Sequence, residues 1–464
     1  MTKIKFNGFF ILLITIALFS CKETTTYDLA IKNVKIFDSE NKKVLDDKTI
    51  LIKADTIYAI VNANSKVKAI KYINGKNRLV SPGFIDTHIH LTDVFGDYEQ
   101  APEFIKIDSS EIYRKKLSDI YLKYGVTTIL GAGQPEKWLS ATLKWQQNPN
   151  PNYPNIFNSG GAIISDEERT PYIGHVEVEN PEKAIEKINE YHKLGIKHIK
   201  IYWRLKEPEM KAIIERAKEL HLYVCGHIDQ NIVSINNASE LGLKNFEHFL
   251  TLSFSVFRYN EHYSDFADKY NIGELNNEDR LLAMMIQTFK YIDETPKLNE
   301  EFEKMLDELV EKQASISTTI HLLASLLNKT YFTIKPIDNS KKNNLNYNKE
   351  QLKNLDEAYS IMMKYLKKAY DKGIKIRIGT DCREGGKALL SELMLLYEAG
   401  FSMEDIFQIA TLNGAEAIKI DSLYGSIESG KKADLIIFEK NPFENYKNIL
   451  SNKIIIKDGI EYKN

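Results

Sequence analysis

The chain has 464 residues, 43% hydrophobic and 27% charged, enough to bury a large core and to carry a second, smaller domain. A formal net charge of −2, with no long block of Lys or Arg, excludes nucleic acid and an anionic membrane surface as electrostatic partners and leaves a small molecule as the expected substrate. With 3 cysteines there is no disulfide framework, and Cys225 and Cys382 are expected to pack rather than react.

At the amino terminus, Lys3 and Lys5 precede an apolar run from Phe9 to Phe19 that is too short to span a bilayer, so residues 1–21 read as an export signal. Leu18-Phe19-Ser20-Cys21 resembles the end of a bacterial lipoprotein signal, with Cys21 as the lipidated first residue of the mature chain. That resemblance, with no Asp after Cys21, implies an exported lipoprotein held by its lipid in the outer membrane or at the cell surface, with Lys22 to Thr26 as a tether.

From residue 28, short alternating apolar runs separated by polar turns read as strands, and residues 425–438 and 453–462 do so again near the carboxyl end. Residues 28–80 and 421–464 are expected to form one composite β-sandwich domain. Between them, residues 81–420 alternate strands with amphipathic segments such as 208–220 and 402–419. Strands are expected at 81–90, 126–131, 155–164, 196–202, 222–227, 244–248, 314–321 and 374–381, which makes the fold class α/β, a (β/α)8 TIM barrel. A helical insertion is expected at about 251–312, where Leu281, Met285, Phe289 and Ile292, then Phe302, Met305, Leu306 and Leu309, form stripes that read as core. Residues 328–350, rich in Asn and Lys, read as a solvated loop, and an insertion on the catalytic face would serve as a lid.

The run from Ser81 to His90 ends with two imidazoles one residue apart. Side chains at a spacing of two share a strand face, so Asp86, His88 and His90 are expected to point together, and two convergent imidazoles suggest a divalent metal. His-x-His also arises by chance on half-buried strands, so the other ligands decide. Later strand ends supply Lys200, His227, His248 and Asp381. Barrels place catalytic groups at the carboxyl ends of their strands, and four histidines with a carboxylate suit two divalent ions. An ammonium beside two dications is repelled, whereas a carbamate on Lys200 is an anionic bridge that, with Asp381 and a hydroxide, offsets most of the metal charge. Lys200 alternates with Ile199 and Ile201 and shares a face with Tyr202, which favours an inward lysine over a snorkelling one.

These motifs are similar to those of the amidohydrolase superfamily, in the branch of imidazolonepropionase-like and prolidase-like metal-dependent hydrolases, over about residues 28–464. They are Pro82 to His90, Ile199 to Tyr202, His227, Glu247-His248, Gly379 to Asp381, and Gly425 to Leu435. The resemblance implies that His88, His90 and Asp381 bind the more buried ion and His227 and His248 the more exposed one. It further implies that carbamylated Lys200 bridges the two ions and that the metal is zinc. Two positions depart from the pattern. Leu390-Ser391-Glu392-Leu393 stands where the branch often has His-x-Glu-Leu, and Gln230 stands where single-metal deaminases often carry a glutamate, which disfavours deamination.

The expected reaction is hydrolysis of an amide or peptide C–N bond, in a dipeptide or N-acyl amino acid, by a metal-bridging hydroxide. Asp381 is the expected general base as well as a ligand, Tyr202 a donor to the oxyanion, and Arg204 and Arg383 carboxylate binders, although each arginine reads equally as a solvated loop charge. The alternatives are a cyclic amide, lactone or phosphoester hydrolysed at the same metals, mononuclear deamination, and a lipoprotein that only binds a small ligand. A homo-oligomer is a further option for assembly.

Overall fold

The computed structural model describes residues 25–96, 111–165, 174–275, 277–332 and 345–463. Cys21 and the export signal lie outside them, as do residues 333–344 of the expected solvated loop. No helix among the described residues is long and apolar enough to cross a membrane.

Four strands come first: β1 (Thr26–Asp38), β2 (Lys43–Lys53), β3 (Thr56–Asn62) and β4 (Lys68–Pro82). Leu29, Ile31, Val34 and Ile36 of β1 enter a core of their own with Ile50, Ile52 and Val80. The spacing slips at Val34 because the register shifts there and Asn33 takes a φ of 56°, a bulge that bends the strand. Phe37 then faces the other way and packs edge-on against Phe407, with ring centroids 5.4 Å apart, tying the sheet to the rest of the molecule.

The middle of the chain supplies β5 (Phe84–Ile89), β6 (Val126–Gly131), β7 (Asn155–Asn158), β8 (Ala162–Ile164), β9 (His175–Glu177), β10 (His198–Ile201), β11 (Tyr223–Gly226), β12 (Asn245–Phe246), β13 (Ser315–Ser317) and β14 (Lys375–Arg377). All are paired in parallel, in the orders β5-β6-β7 and β14-β13-β12-β11-β10-β8-β9. Every strand expected between 81 and 381 is present, the third divided into β7 and β8. The two sheets meet at both margins. The chain runs directly from β7 to β8, and on the other side Thr87 N–H donates to Ile378 O and Asp381 N–H to His88 O, both at 2.9 Å. The result is a TIM-barrel-like domain beside a sheet domain.

The last strands, β15 (Leu435–Phe438), β16 (Lys453–Lys457) and β17 (Ile460–Glu461), return to that sheet, whose order is β17-β16-β15-β4-β1-β2-β3. Amino- and carboxyl-terminal segments thus build one domain, as one hydrogen-bonded sheet, through antiparallel pairing of β4 with β15. Of the segment expected as strand at 425–438, β15 alone is regular.

Helices follow the apolar periodicity. Glu207–Glu219 buries Met210, Ile213, Ile214 and Ala217 along one face. The expected helical segment 402–419 is two helices, Met403–Ile409 and Leu412–Ala417, because the backbone at Thr411 leaves helical geometry and its hydroxyl donates to Phe407 O. The insertion forms Tyr259–Tyr270, Glu278–Glu294 and Pro296–Glu311. Phe289, Ile292, Phe302, Met305, Leu306 and Leu309 are buried as expected, but Leu281, 45% exposed, and Met285, half-buried, face a cavity instead.

Candidate metal centre

The centre is assembled where β5, β10, β11, β12 and β14 end. His88 and Lys200 are fully buried on their strands, while His90, His227, His248 and Asp381 stand just past theirs and line the cavity. His248 (φ 64°) and Asp381 (φ 45°) sit in the left-handed region, which costs a residue with a Cβ roughly 1–2 kcal/mol. Such strain persists only where neighbours over-determine it. For His248 the neighbour is Ser317, whose Oγ accepts its N–H at 2.9 Å. For Asp381 the neighbours are the His88 carbonyl and, through the adjacent residue, Asp86, which accepts from Thr380 N–H at 3.0 Å and from Thr380 Oγ1 at 2.6 Å. Asp86 therefore fastens the Gly379-Thr380-Asp381 turn. Gly379 permits the close approach, since a Cβ there would lie 2.8 Å from both His88 Cβ and Ser317 Cβ.

The ligating atoms converge. His88 Nε2 lies 3.3 Å from His90 Nε2, and Asp381 Oδ1 lies 3.2 Å from His90 Nε2 and 3.9 Å from His88 Nε2. Ligand atoms of His88, His90 and Asp381 fall within 4.8 Å of one another, the spacing a single ion requires. The second carboxylate oxygen, Oδ2, faces His248 Nε2 at 3.7 Å, and the His227 ring centroid is 4.9 Å from that of His248. Asp381 thus stands between a His88–His90 pair and a His227–His248 pair.

Burial pulls the imidazoles down, to about 4 for His88 and about 3 for His90 and His227, with the charge of Lys200 as the next cause; burial and the neighbouring His88 and His227 hold His248 well below the usual range. Neutral imidazoles offer the lone pairs a metal needs. Lys200, with no exposed surface, has no hydrogen-bond partner for its Nζ among the described residues, so the donor set surrounds an orphaned buried amine. That arrangement fits a carbamate bridging two ions and fits a bare ammonium poorly.

Behind the ligands runs a buried network that the sequence did not reveal as such. His88 Nδ1 donates to Glu247 Oε2 at 2.6 Å, which leaves Nε2 free to ligate. Burial pushes the Glu247 carboxyl up, yet Arg377 and His88 hold it well below the usual range. Arg377 donates to Glu247 Oε1 at 2.9 Å and Oε2 at 3.3 Å, to Thr87 Oγ1 at 2.6 Å, to Ser315 Oγ at 3.0 Å and to Phe246 O at 3.2 Å, with neither charged side chain exposed. In the sequence Glu247 stands out only as the neighbour of His248, and Arg377 belongs to none of the motifs. The available signal was a charge set between Ile376 and Ile378, two residues after Lys375 and so on the same face of the strand.

The cavity holds about 730 Å³. Tyr202 lines it, with its ring centroid 5.3 Å from that of His227. Arg204 and Arg383 are not among its lining residues: Arg204 lies over the Trp203 ring at 5.7 Å and Arg383 is exposed, whereas Arg258 stands at the cavity wall. Gln230 also lines it, but its Oε1 accepts from Ile235 N–H at 3.0 Å. Glu392, fully buried, has its carboxyl pushed up to about 8 by burial and accepts from Thr318 Oγ1 and His321 N–H, so it anchors the segment after β13.

The family model described as Amidohydrolase family matches residues 79–459. The imidazolonepropionase of Picrophilus torridus is 23% identical over 441 residues, covering 90% of this chain and 93% of its own. The guanine deaminase of Escherichia coli is 22% identical over 404 residues, covering 78% of this chain and 74% of its own. Among solved structures, a Xaa-Pro dipeptidase with methionine bound in its active site superposes with a TM-score of 0.64 at 21% identity, covering 94% of this chain and all of that one. The ochratoxinase of A. niger gives 0.62 at 16% identity, covering 94% of this chain and 95% of its own. With the family model spanning most of the chain around this centre, the chain belongs to the Amidohydrolase family and is a metal-dependent hydrolase acting on carbon–nitrogen bonds.

Proposed function

We propose that this protein is a binuclear hydrolase of amide or peptide C–N bonds, of the dipeptide or N-acyl amino acid type, built on a closed eightfold barrel. The observation that carries the reading is the convergence of three buried imidazoles, the half-buried His227 and Asp381 beside a buried Lys200 amine that has no hydrogen-bond partner among the described residues. His88, His90 and Asp381 would hold one divalent ion and His227 and His248 the other, with Lys200 as a carbamate between them and zinc as the metal that suits such nitrogen and oxygen donors. The chemistry that such ions supply is activation of water and polarisation of a carbonyl. Asp381, whose side chain is 23% exposed toward the cavity, takes the proton of the attacking water at Oδ2 and returns it to the leaving nitrogen. Tyr202 donates its hydroxyl to the oxygen on which charge develops. Glu247 fixes the ring of His88 in the ligating tautomer.

A second reading, deamination at one metal, is favoured by the likeness to guanine deaminase and opposed by Gln230, an amide that cannot act as a general acid or base near neutral pH. Metal content separates the two. Elemental analysis of protein starting after Cys21, expressed with zinc and bicarbonate, is expected to give about two ions per chain. A value near one makes Lys200 structural and turns attention to ammonia release.

We also propose that the chain is exported and anchored through lipid on Cys21, supported by the Lys3–Lys5 pair and the apolar run that precede it. A Cys21→Ala variant is expected to move from the membrane to the soluble fraction; unchanged membrane association would remove the anchor from the account.

A further inference from the structure

The cavity lining is of two kinds. His90, His227, His248 and Asp381 carry the candidate metal donors; Phe254, Leu275, Leu281, Leu282, Met285 and Leu322 form an apolar part, and none of these six is fully buried. Five of these six come from the helical insertion. They are not loosely packed core. Phe249 stacks on Phe289 at 5.5 Å and Thr288 donates to Ser253 at 2.7 Å, which holds the helix Glu278–Glu294 against the segment after β12 and fixes which side chains are left facing the cavity. Apolar side chains held open in a concave wall favour an apolar ligand surface over water. Arg258 and Glu261 of the lining are paired with each other, Arg258 Nε donating to Glu261 Oε2 at 2.8 Å. A volume of about 730 Å³ also exceeds the demand of a small dipeptide and lies in the range of pockets that enclose drug-sized ligands.

We infer that the insertion is a specificity wall, and that the substrates are amides carrying a large apolar group, a medium-length alkyl chain or an equivalent aromatic, on one flank of the scissile bond. The inference rests on the amide-hydrolase reading for its reaction, but the wall is testable without turnover.

Two substrate series are given to the metal-loaded chain, N-acylglycines from acetyl to decanoyl and glycine N-alkylamides of matching length. In one of them kcat/KM is expected to rise by about two- to fourfold per methylene until the wall is covered. Leu281→Gln, at a position already 45% exposed and so safe for folding, and Met285→Gln are each expected to cut the ratio of decanoyl to acetyl activity by about tenfold. In parallel, calorimetry compares decanoate with butyrate, so that the shared carboxylate cancels; decanoate is expected to bind at least about tenfold more tightly, and Leu281→Gln to erase the difference. If no amide is turned over yet the binding difference appears and is lost in Leu281→Gln, the wall stands and the amide reading falls. If amides are turned over with a flat profile in both series, or decanoate binds no more tightly than butyrate, or the variants leave the ratio unchanged, the wall is overturned.

Discussion

Asp381→Asn is expected to lower kcat by about 10²–10⁴-fold while the fold survives. Asparagine keeps the shape and one carbonyl oxygen but cannot accept the proton, and the backbone bond from residue 381 to His88 O, 2.9 Å long, does not depend on the side chain. The two oxygens of Asp381 face different histidines, 3.2 Å from His90 and 3.7 Å from His248, so the substitution touches both halves of the centre. Metal content must therefore be measured beside kcat. Loss of activity with the metal retained identifies the proton acceptor; loss of both identifies a ligand; activity within tenfold of the parent would remove Asp381 from the base role.

Arg377→Met is expected to cost about 3–5 kcal/mol of stability, because it strips the counter-charge from a Glu247 carboxylate with no exposed surface. Met fills a similar volume, so the loss is electrostatic rather than a cavity. Pairing it with Glu247→Gln checks this: if the cost arises from the stranded carboxylate, the double variant recovers part of it, and the coupling energy reads the pair directly. A single-variant loss below about 1 kcal/mol would show that water or a proton satisfies Glu247 instead. Metal affinity is expected to fall with stability, by about 10–100-fold, since Glu247 sets the tautomer of His88.

The strands and the candidate ligands at their ends were legible because both are written locally: a period of two, a turn, and an imidazole, amine or carboxylate where the strand stops. The Arg377–Glu247 pair was not, because its partners are 130 residues apart and nothing in either strand names the other. Leu281 and Met285 show the opposite failure. Their helical period was visible, but a period says that a face is apolar and not whether core or cavity lies against it. Arg204 and Arg383 sit close to strand ends in sequence, yet the backbone of Arg204 turns through a φ of 72° and its guanidinium lies over Trp203, a direction no spacing encodes. The 402–419 segment read as one helix because Thr411 falls within its apolar period; the hydroxyl's bond to Phe407 O is visible only in the fold.

The contact that fastens Asp381 beside His88 is also the contact by which β14 meets β5, and its side-chain anchor joins Asp86 to Thr380 across 294 residues. Closing so long a loop is slow relative to local structure formation. The His88–His90 pair is thus made early in the chain but lacks its carboxylate until β14 docks. A chain still emerging, or one cut before β14, carries most of the ligands and no complete site. Retention of metal would then be a record of finished folding, and under the proposed export the chain would acquire metal at its destination rather than bring it along.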